Sequence, residues 1–417
     1  MSNTATPWNK PGKFCISANN YHPDVIATMP NLPKFVEVRD VTFREGDDCI
    51  GLRISVPDKI KMLEYGYEMG IRGLDIGSPS MHPHHYALAK AVKATGLPVF
   101  TTARFFTRNI DDNKRQVDVN LEVGVSMIKL VIMQLDEEVT HKQMDALPDL
   151  IDYIHKAGLP VQVTLSDATR APIELFDYVY KGAIAAGCDH IGIPDTFSTS
   201  GPSAMKWLFS RAHEWVKEKP GMHLKAHMHN NYGLAVANTL ACIEGGADSC
   251  DGAVNGYGDE AGNASLEEIV VALESLYGID TGYKTEMLYG YCKMAEKFGG
   301  VPVQPHKAIC GDNAFRRPKE IWAGVDMATE SWMEHPGIDP RFVGATDCVC
   351  FGPEASLDDE VLEFKFKQHN IPYTSDDIVK VRRAVEERLK EEQVFKFPTW
   401  YITEAQFDDM LKKMYHV

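Results

Sequence analysis

Between Phe35 and about Leu276 the chain alternates short β-branched runs with longer amphipathic stretches, and that rhythm restricts the folds open to it. The runs are FVEVRDVTF (35–43), RGLDIG (72–77), PVFTTAR (98–104), SMIKLVI (126–132), LPVQVTL (159–165), DHIGIP (189–194), MHLKAHMH (222–229) and ADSCDGAV (247–254). Helical patterns such as PDKIKMLEYGYEMG, LPDLIDYIHKAG and GLAVANTLACIEGG lie between them, and several stop at a glycine: Gly70, Gly158, Gly187. Eight strand–helix units imply a parallel sheet, and eight closes a barrel. A doubly wound open sheet is disfavoured, because no first strand runs into a phosphate-cradling glycine turn. The expected fold is α/β, a (β/α)8 TIM barrel over residues 35–277. An N-terminal arm (1–34) precedes it and a helical extension (278–417) follows, where strand runs give way to patterns such as TEMLYGYCKMAEKFG, SDDIVKVRRAVEERLKEEQ and TEAQFDDMLKKMY. KVRRAVEERLKEE alternates charge in the manner of a solvated helix face.

Composition narrows the function classes. With 43 basic and 59 acidic residues the net charge is −16, which disfavours nucleic-acid or anionic-membrane partners, since both need a basic face. No apolar run reaches the roughly 18 residues of a membrane span, and the first residues lack a signal-peptide core. Nine cysteines without a CxxC pair fit reduced thiols. A cytoplasmic, soluble protein is expected.

In a (β/α)8 barrel, catalytic groups stand at the C-terminal ends of the strands. Those ends collect Arg44-Glu45-Gly46, Arg104, Ser166-Asp167, Asp195-Thr196, His227-Met228-His229 and the stretch from Asn255 to Asn263. Residues two apart on a strand share a face, so His227 and His229 can both aim into the barrel mouth while Met228 faces the helices. Glu45 would reach the same mouth from strand one, which neighbours strand eight in a closed barrel. Two imidazoles and a carboxylate suit a divalent cation. The glycines of GYGDEAGN (256–263) lack dinucleotide-fingerprint spacing and read instead as a tight turn bringing the Asn263 side-chain oxygen to the metal. Arg104, Ile132, Gln134 and Thr164 are read as inner-face residues that size the substrate, with Gln134 able to hydrogen-bond a polar tail. His306, His335, His369 and His416 lie in the extension, each by itself more readily structural than catalytic.

DVTFREGDD resembles the first-strand signature of the DRE-TIM metallolyases, which include isopropylmalate, citramalate and homocitrate synthases and hydroxymethylglutaryl-CoA lyase. IPDTFSTSGP (193–202), AHMHNNYGLAVANTLACIEGGAD (226–248) and GYGDEAGNASLEEIVVALE (256–274) are similar to later family motifs in the same order, and PHKAICGDNAF (305–315) resembles the synthases' inter-domain region. The resemblance implies Glu45, His227, His229 and Asn263 as metal ligands, Arg44 facing the substrate carbonyl oxygen, and Thr196 holding the substrate carboxylate. It implies a Claisen condensation of an acyl-CoA, with acetyl-CoA expected, and a 2-oxo acid. The cofactor is a divalent cation (Mg, Mn, Co or Zn), and a homodimer is expected.

Departures from the pattern bear on the reaction. Ser166-Asp167 replaces an acidic pair, Asn231 stands where the family has an aspartate, and Gly46-Asp47-Asp48 replaces GEQ. No cysteine occurs in 255–263, against a hydroxymethylglutaryl-CoA lyase. KEIWAGV (319–325) puts Trp322 where the synthases carry a histidine, leaving the general base among His306, His335 and Glu320. The alternatives are a metal-dependent carbon–carbon lyase and a non-catalytic metal-binding scaffold.

Overall fold

The computed structural model describes residues 5–134, 136–315, 337–345, 350–351, 359–390 and 402–416. Two compact units divide the chain: Ala18–Pro302, and residues up to Ser17 together with those from Val303 onward.

In the first unit eight strands close into a barrel. They are β1 (Glu37–Asp40), β2 (Gly73–Asp75), β3 (Phe100–Phe106), β4 (Met127–Ile132), β5 (Val161–Leu165), β6 (His190–Asp195), β7 (His223–Met228) and β8 (Ser249–Gly252). Every neighbouring pair is parallel, and closure comes from β8 beside β1, with Ser249 opposite Glu37 and Gly252 opposite Asp40. All eight runs read from the sequence therefore become barrel strands, although the first is shorter than 35–43. Its end, Thr42–Asp48, winds into a helix, α1, tied back by the buried Asp40 carboxylate, which accepts hydrogen bonds from the Thr42 hydroxyl and, at 2.8 Å, from the Thr42 N–H.

The crossovers are right for their sequences. Helix α2 (Val56–Met69) starts at Ser55, whose hydroxyl accepts from the Asp58 N–H, and Asp136 caps the helix Glu137–Lys156 through the Val139 N–H. Gly70, Gly158 and Gly187 do follow helices, at φ of +130°, +83° and +91°, a region that costs other residues strain. Fully buried Val38, Leu130, Val163, Ile191 and Leu224 fill the strand faces, with Phe176, Phe209 and Leu273 among the residues packed on the helices.

The barrel unit takes in more than 35–277. Tyr21 donates to the Ser275 carbonyl at 3.1 Å. On the helix Leu288–Gly299, the buried Tyr291 donates to Asp40 at 2.5 Å, and the Cys292 carbonyl accepts from the Asn255 amide at 2.9 Å. These bonds attach residues 18–34 and 278–302 to the barrel. The second unit contains helices Ser375–Lys390 and Glu404–Tyr415, as their periodicity suggested, but it also holds a helix Asp359–Gln368 and a two-stranded antiparallel pairing of Cys350–Phe351 with Ile402–Thr403 that no pattern read from the sequence announced. Ile378, Val381 and Val385 turn one face of the charged middle helix into a core with Leu362, Phe366 and Phe407.

Two tests follow from the barrel. A Cβ at Gly252 would lie 2.8 Å from the Leu266 Cα, so Gly252→Ala should destabilise by about 1–3 kcal/mol in urea denaturation. His190 on β6 is held down to about pH 3 by burial first, then by Arg39, His223 and Lys225. An unfolded histidine titrates near about 6.5. Below that pH the unfolded chain takes a proton the folded chain refuses, so stability falls as pH drops from about 6.5 toward 3. Urea midpoints measured at about pH 5 and pH 7.5 should differ less in His190→Gln than in the parent.

Candidate active site

Three donors converge where β1, β7 and β8 end. Glu45, on the first turn of α1, is buried; His227 is the penultimate residue of β7 and His229 follows the strand. One ligand atom from each lies within 4.8 Å of the others. His227 Nε2 is 3.0 Å from Glu45 Oε1 and 3.2 Å from His229 Nε2. Met228 between them is buried, on the helix-facing side as the alternation required.

Asp251 on β8 fixes the His227 ring in this orientation. Its Oδ2 lies 2.9 Å from His227 Nδ1, and its Oδ1 lies 2.6 Å from the Lys225 ammonium. Lys225 and His227 outweigh the effect of burial, so the Asp251 carboxyl stays ionised well below its usual range. A neutral His227 ring then carries its proton on Nδ1 and presents the Nε2 lone pair to Glu45 and His229.

The backbone brings Asn263 beside His229. Asn230 N–H donates to the Gly262 carbonyl at 2.8 Å, and Ala264 N–H to the Met228 carbonyl at 3.0 Å, which stitches the loop after β8 to the end of β7. Asn263 thereby bridges to His229, and its buried amide has neither a donor nor an acceptor partner. A Cβ at Gly258 would collide with the Asn263 Oδ1, so glycine is required for this approach. Acceptor atoms from a carboxylate and two imidazoles facing one another, beside an unpartnered amide, leave a place that a divalent cation fits. Burial pushes the Glu45 carboxyl up, but the Arg44 guanidinium beside it outweighs burial and holds it well below the carboxylate range. Burial and His227 lower His229 to about 3, so it is neutral and ready to ligate near neutral pH.

Beside this cluster, Arg44 pairs with Glu45 and lies 3.7 Å from Asp75. The donors open onto a cavity of about 340 Å³ whose walls include Arg44, Arg104, Thr164 and Thr196. Thr196 Oγ1 accepts from the Asp167 N–H at 3.2 Å. Arg104 has no hydrogen bond or ion pair among the described residues, its guanidinium lying 5.5 Å from the Phe106 ring. Asp167, Ser198, Asn255 and Glu260, in the loops after β5, β6 and β8, all have positive φ, which is strain concentrated at the mouth.

Two residues on β4 and just beyond it are elsewhere. Lys129, Val131 and Met133 line the cavity, so the opposite parity, Ile132 and Gln134, points away from it. Ile132 is fully buried outside the barrel lumen. Gln134 donates to the carbonyl of Asp167 at 2.9 Å and lines a separate cleft with His141 and Tyr178. SMIKLVI is apolar on both faces, as expected for a strand buried on both sides, so its parity was hidden except at Lys129. Lys129, Lys225, Asp75 and Asp251 are site residues the sequence reading passed over; a charge inside an apolar strand run was the available signal. His306 is exposed in the second unit, its Nε2 3.5 Å from the Asn313 amide, while Glu320, Trp322 and His335 lie outside the described residues.

Residues 35–294 match the HMGL-like family. The chain belongs to that family, the DRE-TIM metallolyases. It is 31% identical to the 2-isopropylmalate synthase of Methanocaldococcus jannaschii over 83% of this chain and 66% of that protein. Identity is 32% with the 2-isopropylmalate synthase of Sulfolobus acidocaldarius, over 78% and 83% of the two chains. With the homocitrate synthase AksA of Methanopyrus kandleri it is 29%, over 77% and 80%. The crystal structure of Bacillus subtilis HMG-CoA lyase superimposes with a TM-score of 0.55 at 22% identity, covering 65% of this chain and 96% of that one, which speaks to the fold.

Asp251→Asn should weaken divalent-cation binding by about 10–100-fold, measured by calorimetric titration with Mn²⁺, because His227 loses the partner that fixes its ring.

Proposed function

We propose that this chain catalyses a divalent-metal-dependent condensation of an acyl-CoA, expected to be acetyl-CoA, with a 2-oxo acid, releasing CoA and a 2-hydroxy di- or tricarboxylic acid. The observation that carries the reading is the convergence of Glu45, His227 and His229 beside the Arg44 guanidinium at the head of the barrel cavity. The synthase relatives favour condensation over the carbon–carbon lyase alternative.

Glu45, His227, His229 and Asn263 would hold the cation (Mg, Mn, Co or Zn), which when bound supplies positive charge beside the keto oxygen. Arg44 donates hydrogen bonds to that oxygen as negative charge develops on it, and its neighbours Glu45 and Asp75 keep the guanidinium charged despite burial. Thr196 and Arg104 orient the oxo acid's carboxylate. A base removes a proton from the thioester's α-carbon; that carbon bonds to the keto carbon, and the carbonyl electron pair moves to oxygen, which is protonated to a hydroxyl. Water then cleaves the thioester and frees the thiol. His306, His335 and Glu320 are the candidates for the base, and a homodimer is the assembly we expect. Asp48 on the cavity wall joins them, its carboxyl raised by burial.

No described helix is long and apolar enough to cross a membrane, and the described cysteines Cys15, Cys49, Cys188, Cys242 and Cys250 are free thiols, in keeping with a cytoplasmic location.

Thiol release should require an oxo acid and acetyl-CoA together. Glu45→Ala and His229→Ala should lose bound metal and turnover in parallel, read by atomic absorption and thiol assay, and Arg44→Ala should lower kcat about 10²–10³-fold with metal retained. Full activity in metal-stripped protein would sink the assignment.

A further inference from the structure

We propose that the floor of the barrel cavity recognises a second anionic group on the oxo acid, making the substrate a 2-oxo dicarboxylic acid. This rests on the condensation reading above. Below the cation-binding cluster the cavity is walled by Lys129, Gln162, Thr164, Gly192, Lys225 and Asp251. Lys225 stands two residues before His227 on the same strand face, about 6–7 Å deeper along β7. Arg104, Lys129 and Gln162 are register partners across β3, β4 and β5, so all three point into the lumen. Gly192 on β6 leaves the room: a Cβ there would strike the Gln162 amide, which donates to the Thr164 hydroxyl at 3.0 Å.

Each carboxylate of this floor faces an ammonium group, and each ammonium group has more donors than partners. Asp75 Oδ1 accepts from the Gly77 N–H and its Oδ2 from Lys129, both at 2.9 Å. Asp251 gives one oxygen to Lys225 and the other to His227. An ammonium has three donors. Lys129 and Lys225, 5% and 1% exposed, each meet one carboxylate among the described residues, so donors remain in a place closed to bulk water. A carboxylate at the far end of the oxo acid supplies the missing acceptors. An aliphatic end would leave them unmet, and sites built around such groups reject analogues lacking the partner by as much as about 10⁴-fold.

The test compares oxaloacetate and 2-oxoglutarate with pyruvate and 2-oxoisovalerate, using Mn²⁺-loaded full-length protein, acetyl-CoA and thiol release. One diacid should exceed both monoacids in kcat/KM by about 10²-fold or more. The double variant Lys129→Met/Asp75→Asn removes the pair together, so no buried charge is left alone. It should cut that preference at least about tenfold, chiefly through a raised KM for the diacid. Preference for a monoacid, or an unchanged preference in the folded double variant, overturns the proposal while condensation stands. Calorimetry of the Mn²⁺-loaded protein without acetyl-CoA separates the two readings further. If no oxo acid releases thiol, condensation falls, yet tighter binding of a diacid still upholds the floor assignment and equal binding of 2-oxoglutarate and 2-oxoisovalerate overturns it. Should the double variant not fold, the parent panel and the calorimetry decide.

Discussion

The pairing of β8 with β1 is the contact on which the site depends. Until Ser249–Gly252 lies along Glu37–Asp40, Glu45 and the histidine pair belong to opposite ends of a long chain segment. Closure places the helix that carries Glu45 beside the strand that carries Asp251, and Asp251 in turn orients His227. One backbone ladder thus assembles both the ligand set and the group that sets its protonation. Asp40, at the end of that ladder, holds the Thr42 turn and the Tyr291 hydroxyl, so the same few residues hold α1 and the helix Leu288–Gly299 in place.

Much of this was readable in advance, for a physical reason. Strand alternation has a period of two, so His227 and His229 had to share a face, and a parallel barrel of eight units had to bring the first strand beside the last. Glycines at Gly70, Gly158 and Gly187 mark helix ends because the left-handed region is open to them at low cost. The GYGDEAGN turn reads correctly because the approach of Asn263 depends on a missing Cβ.

What was not readable has causes of its own. A strand covered on both sides shows no contrast between its faces, so Ile132 and Gln134 were taken for lumen residues when Lys129, Val131 and Met133 hold that place. The buried pairs Lys129–Asp75 and Lys225–Asp251 join residues far apart in sequence, and no local pattern reveals a counter-ion. The two-residue strands at Cys350 and Ile402 are too short for any periodicity to register. The ties that add residues 18–34 to the barrel unit are single hydrogen bonds, such as Tyr21 to Ser275, which leave no trace in hydrophobic pattern.

Asp251 touches Lys225 with one oxygen and His227 with the other. Exchanging Lys225 therefore disturbs the imidazole two residues on, whereas Lys129 answers to Asp75, which accepts a backbone N–H and lies 3.7 Å from Arg44 rather than beside an imidazole. Of the two cations at the bottom of the barrel, one is coupled through its carboxylate to an imidazole of the cluster and the other to the Arg44 guanidinium, so replacing either is felt at the mouth above.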